Sequence, residues 1–511
     1  MHAVDLAIIV LYLLGMLAVG FWFYNKNEGG EDYYVGGRQM GSLHIGLSVV
    51  ATDVGGGFSI GLGGLGFVMG IAGSWMLFTG LVGAWLAAVF LIPKVKDNPA
   101  YSRFLTFPEI FAHHYGVRVA IVAGVISAIG YAGFTSSQIL AGAKLASGTF
   151  VNLGMHQALF IMGAVAVVYT VLGGLKAVIY TDTIQWAILM LGLTFVGIPF
   201  AYQAVGGWQA IRSTLNPEML SLTNIAWNQL VNWAVTIIPI WFVGMTLYQR
   251  IYACKDTRTA RRAWYLAGFF EYPVMAFMGV TLGLLARVAA EQGMFVYLGA
   301  EDIANTDPET GLPMLLRTVL PTGFMGVMMA AYFSAILSTA DSCLMASSGN
   351  VVSDIIARLT PLKQESRGFI RLSQVTTLII GLIALALASV LTSVLDLMLH
   401  SYAFMVSGLL VPIIGALYWR HGNAHGALWA MVGGGATTLL LQIIPWSLIQ
   451  NLTRTLDANV YGIAVSLVLF VGVSLMTATD DSQGLSGNTI LGMHGLTSRE
   501  QTSASQNTHW R

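Results

Sequence analysis

Apolar stretches long enough to cross a bilayer recur along almost the whole chain, separated by short polar connections. They predict helices near 5–24, 43–70, 74–93, 117–147, 156–174, 180–204, 227–253, 263–290, 321–357, 372–395, 397–419, 425–445 and 458–478, because a ~30 Å hydrocarbon core requires about 20 mostly apolar residues of a helix. The expected fold class is an all-α polytopic membrane protein with about 13 transmembrane helices. The stretch 106–115, with Pro108 near its start and apolar residues on one face, predicts an amphipathic helix on the inner surface. GLPMLLRTVLP at 311–321 predicts either a short helix dipping back to the membrane or an ordinary polar loop. The Ser/Thr/Gln/Gly-rich tail from Thr479 reads as disordered. The first span has no Lys or Arg before it, which reads as a retained anchor and not a cleaved signal peptide.

Composition narrows the class. Of 511 residues, 56% are hydrophobic and 9% charged, against roughly a quarter charged in a soluble domain, which excludes a soluble globular protein. With 24 basic and 24 acidic residues the net charge is zero, so no basic face exists for nucleic acid and the partners are small or lipidic. Two cysteines, Cys254 and Cys343, support neither a disulfide framework nor a thiolate metal site. Basic residues crowd one side: Lys94 to Arg118, Arg250 to Arg262 and Arg358 to Arg371 fall there, whereas the other side has only Arg212, Arg287, Arg317 and Arg454. The positive-inside rule then puts the N-terminus outside and the C-terminus in the cytoplasm, as expected of a plasma-membrane protein.

Ionisable groups at membrane depth cost roughly 2.5–3.5 kcal/mol each and therefore mark function. Asp53, Asp182, Glu271, Asp341 and Asp396 lie in or at the edge of spans, with Lys144 the one basic candidate. ATDVGGGFSIGLGGLG (51–66) has glycines that interrupt an apolar span beside Asp53. They predict either a helix broken at mid-membrane, whose freed carbonyls suit a hard cation, or close helix packing. AAYFSAILSTADSCLMASSGNVVSD (330–354) puts Ala335, Ser338, Thr339 and Ser342 on one helical face beside Asp341. Such hydroxyls either ligate a cation or bond the carbonyl one turn back. In VYTVLGGLKAVIYTDTIQ (168–185), Gly173-Gly174 predicts a tight inner turn, and Asp182 opens the next span as a cap or a ligand.

These three segments resemble the sodium:solute symporter family, which includes bacterial proline and sialic acid transporters and animal glucose and choline transporters. YTVLGGLKA (169–177) followed by YTD is similar to the family signature, and LSTADS (337–342) to its hydroxyl-rich eighth core helix. QRIYACKDTRTARRA (249–263) and EDYYVGGRQMG (31–41) extend the likeness, which covers residues 5–478. It implies a leucine-transporter-like 5+5 inverted repeat: an extra N-terminal helix at 5–24, a first repeat at 43–204, a second at 227–419, two C-terminal helices at 425–478 and a cytoplasmic tail at 479–511. The first and sixth core helices would be discontinuous, fitting Gly55 to Gly57 and, in IIPIWFVG (237–244), Pro239.

Carried over by residue, the resemblance implies a sodium site on the carbonyls of Ala51, Val54 and Ala335 and the hydroxyls of Ser338 and Thr339. A second sodium would fall on Asp182, Ser338, Asp341 and Ser342, where Asp341 stands in place of a serine in some relatives. Solute-facing positions would be Asp53, Gly55, Gly56, Gly57, Phe58, Phe134 and Trp241, with Gln138, Tyr402 and Met405 as weaker candidates. Asp53 matches the proline branch and VGGG the choline branch, while Gly57 departs from the tryptophan of the proline branch. The expected activity is sodium-coupled symport of an amino acid such as proline, or of another zwitterion or small cation, with sodium as co-substrate and no cofactor. No arginine is expected at a span centre, which argues against a multiply charged anion. A proton-coupled carrier using Asp53, Asp182 or Asp341 and a solute sensor acting through a partner are the alternatives; with no GxGD and no convincing nucleophile–base pair, an enzyme is not expected.

Overall fold

The computed structural model describes residues 2–24, 30–150, 153–299, 306–360, 366–443 and 455–478. The tail at 479–511, residues 300–305 of the acidic loop, and the side chains of Asp53, Val54 and Phe58 lie outside the described set. Among the described residues the chain forms helices and no strands, with one isolated bridge between Met40 and Cys254. That is what hydrocarbon imposes, since a helix satisfies its backbone N–H and C=O groups within the segment.

The principal helices are α1 (Ala3–Tyr24), α2 (Ser42–Val54), α3 (Gly56–Met69), α4 (Trp75–Leu86), α5 (Pro108–Tyr115), α6 (Val117–Thr149), α7 (Met155–Gly192), α8 (Trp227–Val243), α9 (Met245–Ala253), α10 (Thr257–Phe269), α11 (Ala276–Glu291), α12 (Pro308–Val319), α13 (Phe324–Gly349), α14 (Arg367–Ala388), α15 (Val394–Tyr418), α16 (Ala424–Ile443) and α17 (Ala458–Thr477). Among the described residues nine helical runs are long and apolar enough to cross a membrane, ten if α8 and α9 count as one bent span. The helix expected on the inner surface is α5, and the 311–321 stretch lies mostly in α12.

Burial orders the bundle. The best apolar window of the run containing α13 is 94% buried, against 22% for α17, so α13 is the central post and α17 a lipid-facing flank. Around α13 pack α1, α2, α6, α7 and α14. Helices α3 and α11 approach backbone to backbone: a Cβ on Gly283 would lie 2.0 Å from the Gly63 carbonyl, the contact that small residues permit where lipid gives no hydrophobic drive.

Helix α7 occupies two expected spans, 156–174 and 180–204. On one half Met162 meets Gly142 and Thr170 reaches Asp341; on the other Ile179 meets Gly36 and Gly192 meets Met328. The side chains of residues 172–177, the interval containing Gly173-Gly174 where the sequence predicts a turn, lie outside the described set.

Two breaks shape the interior. Gly55, at φ −34° and ψ −156°, separates α2 from α3. The second lies at Gly244, where ψ 112° ends α8 and α9 departs at 42°. The sequence pointed to Pro239 for this break, but Pro239 stays inside α8. A proline removes one ladder bond and kinks a helix, whereas an extended ψ terminates it.

Candidate functional site

The break at Gly55 faces α13. The Thr339 hydroxyl lies 3.1 Å from the Ala51 carbonyl and 3.2 Å from the Ala335 carbonyl, its hydrogen-bond acceptors. Ser338 donates to the same Ala335 oxygen at 3.4 Å. Hard oxygens from α2 and α13 thus converge at the end of a broken helix. Val54 is the last residue of α2, directly before the break. The contact is close: a Cβ on Gly55 would lie 2.2 Å from Thr339 Oγ1.

One to two turns toward the other end of α2 lies a second polar cluster. Asp182, fully buried, accepts from the Ser48 hydroxyl at 2.5 Å and from Arg250 Nη2 at 3.4 Å. Asp341, also fully buried, accepts from the Thr170 hydroxyl, and the Ser342 and Thr52 hydroxyls are 3.3 Å apart. Among the described residues, Asp182 Oδ1 and Asp341 Oδ2 have no hydrogen-bond partner.

Arg250 corrects the sequence reading, which counted it among inner-side basic residues and expected no arginine at a span centre. It is fully buried on α9. Its three nitrogens reach five acceptors: Nε donates to Ser48, Nη1 to the Thr246 carbonyl, and the two N–H groups of Nη2 are shared among Thr52, Ser342 and Asp182. The turn at Gly244 redirects α9 into the bundle, and buried hydroxyls replace the water that a guanidinium otherwise requires. Ser48 and Thr52, at four-residue spacing on α2, and Thr170 also escaped the sequence reading. Their hydroxyls on the helices flanking Asp53 and Asp182 were the available signal.

Of the expected solute-facing residues, the structure brings together Gly55, Gly56, Gln138, Phe134 and Tyr402. Gln138, fully buried, reaches from α6 to accept the Gly56 N–H at 2.6 Å, capping the first turn of α3. Phe134 and Tyr402 meet edge to face, ring centroids 4.9 Å apart. Beside Gly57, where the proline branch carries tryptophan, Met398 of α15 fills the space: a Cβ there would lie 2.3 Å from its sulfur. Met405 plays the same part against Gly130. Trp241 sits instead in a notch at Gly83 of α4, with its ring carbon 2.3 Å from where a Gly83 Cβ would be.

The remaining ionisable candidates lie elsewhere. Asp396 is exposed in the first turn of α15, and Glu271 is buried against Gly80 where the helical path is interrupted at Tyr272. Lys144 is paired at 2.6 Å with both Asp307 and Glu309. Glu309 also accepts the Val394 and Leu395 N–H groups, joining α12, α6 and the start of α15.

Comparison with known proteins agrees with this arrangement. The osmoregulated proline transporter OpuE of Bacillus subtilis is 27% identical over 84% of this chain and 87% of its own length. The high-affinity proline transporter PutP of the same organism is 24% identical, covering 90% and 96%. Human sodium/myo-inositol cotransporter 2 is 28% identical over 86% of this chain and 70% of its own. A Na+-coupled sialic acid symporter in a substrate-bound outward-open state superimposes with a TM-score of 0.75 at 19% identity, over 94% of this chain and 98% of that one. Mhp1, a nucleobase-cation-symport-1 family transporter, gives 0.55 at 13% identity, over 88% and 95%. Residues 33–434 match the sequence profile of the sodium:solute symporter family, and with a broken helix facing a hydroxyl-rich one across that span, the chain belongs to this family.

Proposed function

We propose that this symporter imports a small zwitterion, with proline the first candidate, and that the coupled sodium binds where α2 meets α13. The observation carrying this reading is the convergence of the Ala51 carbonyl, the Ala335 carbonyl and the Thr339 hydroxyl at the Gly55 break. Sodium takes hard oxygen ligands, and carbonyls with hydroxyls supply them near neutral pH without a proton to displace. To serve as a ligand, the Thr339 hydroxyl turns its proton away from the Ala51 carbonyl, and both oxygens then face the ion with those of Val54, Ala335 and Ser338. Binding ties α2 to α13 and orders the break. The Gly56 N–H, now held by Gln138, becomes the anchor for the carboxylate of the solute, a stronger acceptor for a helix N-terminus than an amide. Rocking of the α2/α3 bundle against the α13 scaffold then exposes both to the other side.

A second cation belongs to the Asp182 cluster in this reading. Asp182 pairs with Arg250 there, and Asp182 and Asp341 each offer one carboxylate oxygen with no hydrogen-bond partner among the described residues. One charge moved through 100 mV is worth ~2.3 kcal/mol, and ~1.4 kcal/mol is tenfold, so two sodium ions support roughly thousandfold accumulation. The proline relatives support the choice of solute, and the crowding of basic residues on one side supports an N-terminus outside and a C-terminus in the cytoplasm. The division into repeats at 43–204 and 227–419 is part of the same proposal.

The test is thermal stability of purified protein in NaCl against KCl at equal ionic strength, followed by proline uptake into proteoliposomes. A sodium-specific rise, about 2.7 kcal/mol at a hundredfold excess over Kd and absent in Ser338→Ala/Thr339→Ala, is expected. A shift that follows pH and not sodium, abolished by Asp341→Asn, would transfer the coupling to protons.

A further inference from the structure

We propose that a cavity at the basic end of the bundle binds the phosphate headgroup of an anionic phospholipid. The cavity, about 550 Å³, lies between the Ile92–Lys96 helix, α5 and the end of α15. Its lining includes Lys94, His114, Trp419 and Arg420 and contains no carboxylate. Among the described residues neither Lys94 nor Arg420 enters an ion pair. Two exposed cations around one concavity without a counter-ion are complementary to an anion. Burial, and then the neighbouring His113, hold His114 below the usual histidine range, so its ring adds a neutral polar group and no opposing charge.

The surroundings select a lipid over a soluble anion. Leu86, Phe90 and Lys94 follow one another at four-residue spacing, so the stripe that ends in the ammonium is apolar toward the membrane. Phe90 is 51% exposed and its neighbour Val89 46%. On the facing helix Tyr418 is 47% exposed, its hydroxyl donates to the Phe90 carbonyl, and Lys94 Nζ stands 5.2 Å from the centre of its ring. Apolar ridges thus lead from the lipid-facing surface into a basic hollow, which accommodates acyl chains and a phosphate of one molecule together. Basic hollows of this kind at the cytoplasmic interface recognise anionic headgroups, and this end carries the excess of Lys and Arg.

The experiment is native mass spectrometry of the full-length protein in detergent, titrated with phosphatidylglycerol or phosphatidylcholine of identical chains. Phosphatidylglycerol is expected to be retained preferentially. Lys94→Gln/Arg420→Gln is expected to weaken it by about twentyfold or more, roughly fivefold per basic side chain, while Arg420→Lys keeps most of the affinity. Both side chains are exposed, so the variants fold, and an unchanged melting temperature checks this. Equal retention of the two lipids, or an unchanged preference in the double variant, overturns the proposal. Complete displacement of phosphatidylglycerol by millimolar inorganic phosphate would assign the hollow to a free anion and overturn it equally. None of these outcomes depends on the identity of the transported solute.

Discussion

Replacing Arg250 by glutamine isolates the energetics of the buried cluster. The guanidinium contributes five hydrogen bonds, and after its removal Asp182 keeps the Ser48 hydroxyl but no cation. At the observed 3.4 Å separation, Coulomb attraction at an effective dielectric near 20 is about 5 kcal/mol. Removing one partner of a buried pair typically destabilises by about 3–5 kcal/mol, because the other charge is left uncompensated. Arg250→Gln and Asp182→Asn should therefore each cost about 3 kcal/mol or more. The double variant, with no buried charge left at the pair, should lie within about 1 kcal/mol of the parent, a coupling energy far above the few tenths seen for independent sites. Equilibrium unfolding in mixed micelles, with potassium as the only salt cation, measures all four corners of the cycle. A single variant costing under about 1 kcal/mol, or a double variant as unstable as the worse single, would refute the claim that the pair is held by mutual compensation.

Gly55→Ala puts a methyl 2.2 Å from Thr339 Oγ1 and 2.6 Å from Gln138 Oε1. It should cost about 1–3 kcal/mol by overpacking and abolish the sodium-specific thermal shift, whereas an intact shift would mean the break is not the ion site. Gln138→Leu leaves the Gly56 N–H without its acceptor, a loss of about 1–3 kcal/mol. If the solute carboxylate takes over that donor, saturating proline should shrink the deficit, and an equal deficit with and without proline speaks against it. Glu109, on α5, has its carboxyl pushed above the usual range by burial, against bonds from the Leu105 and Thr106 N–H groups and the charge of Arg358. The fold favours its protonated form, so its contribution is present at acid pH and lost as pH rises through the raised value. Glu109→Gln, which keeps an acceptor oxygen, should flatten the stability profile just above the usual carboxylate range and raise stability at the neutral end; a profile as steep as that of the parent would contradict this.

The chain by itself determined a helical membrane protein, since 56% apolar residues in span-length blocks leave no other way to satisfy the backbone in hydrocarbon. It also located the interrupted helix at Gly55 and the hydroxyl face of α13, because a glycine run beside an aspartate and a three- and four-residue hydroxyl spacing are local signals. Tertiary structure decided what those signals meet. Arg250 lies beside basic loop residues in sequence, and only the turn at Gly244 directs it onto Ser48, Thr52, Asp182 and Ser342, residues from three other helices. Gln138, a weaker candidate along the sequence, and Met398, which looks like an ordinary helix residue, take their places only when the packing of α6 and α15 brings them to Gly56 and Gly57. Trp241 fills a notch at a glycine on α4 that no pattern along α8 could reveal. Helical periodicity assigns a residue to a face, but which partner occupies that face depends on contacts between segments hundreds of residues apart.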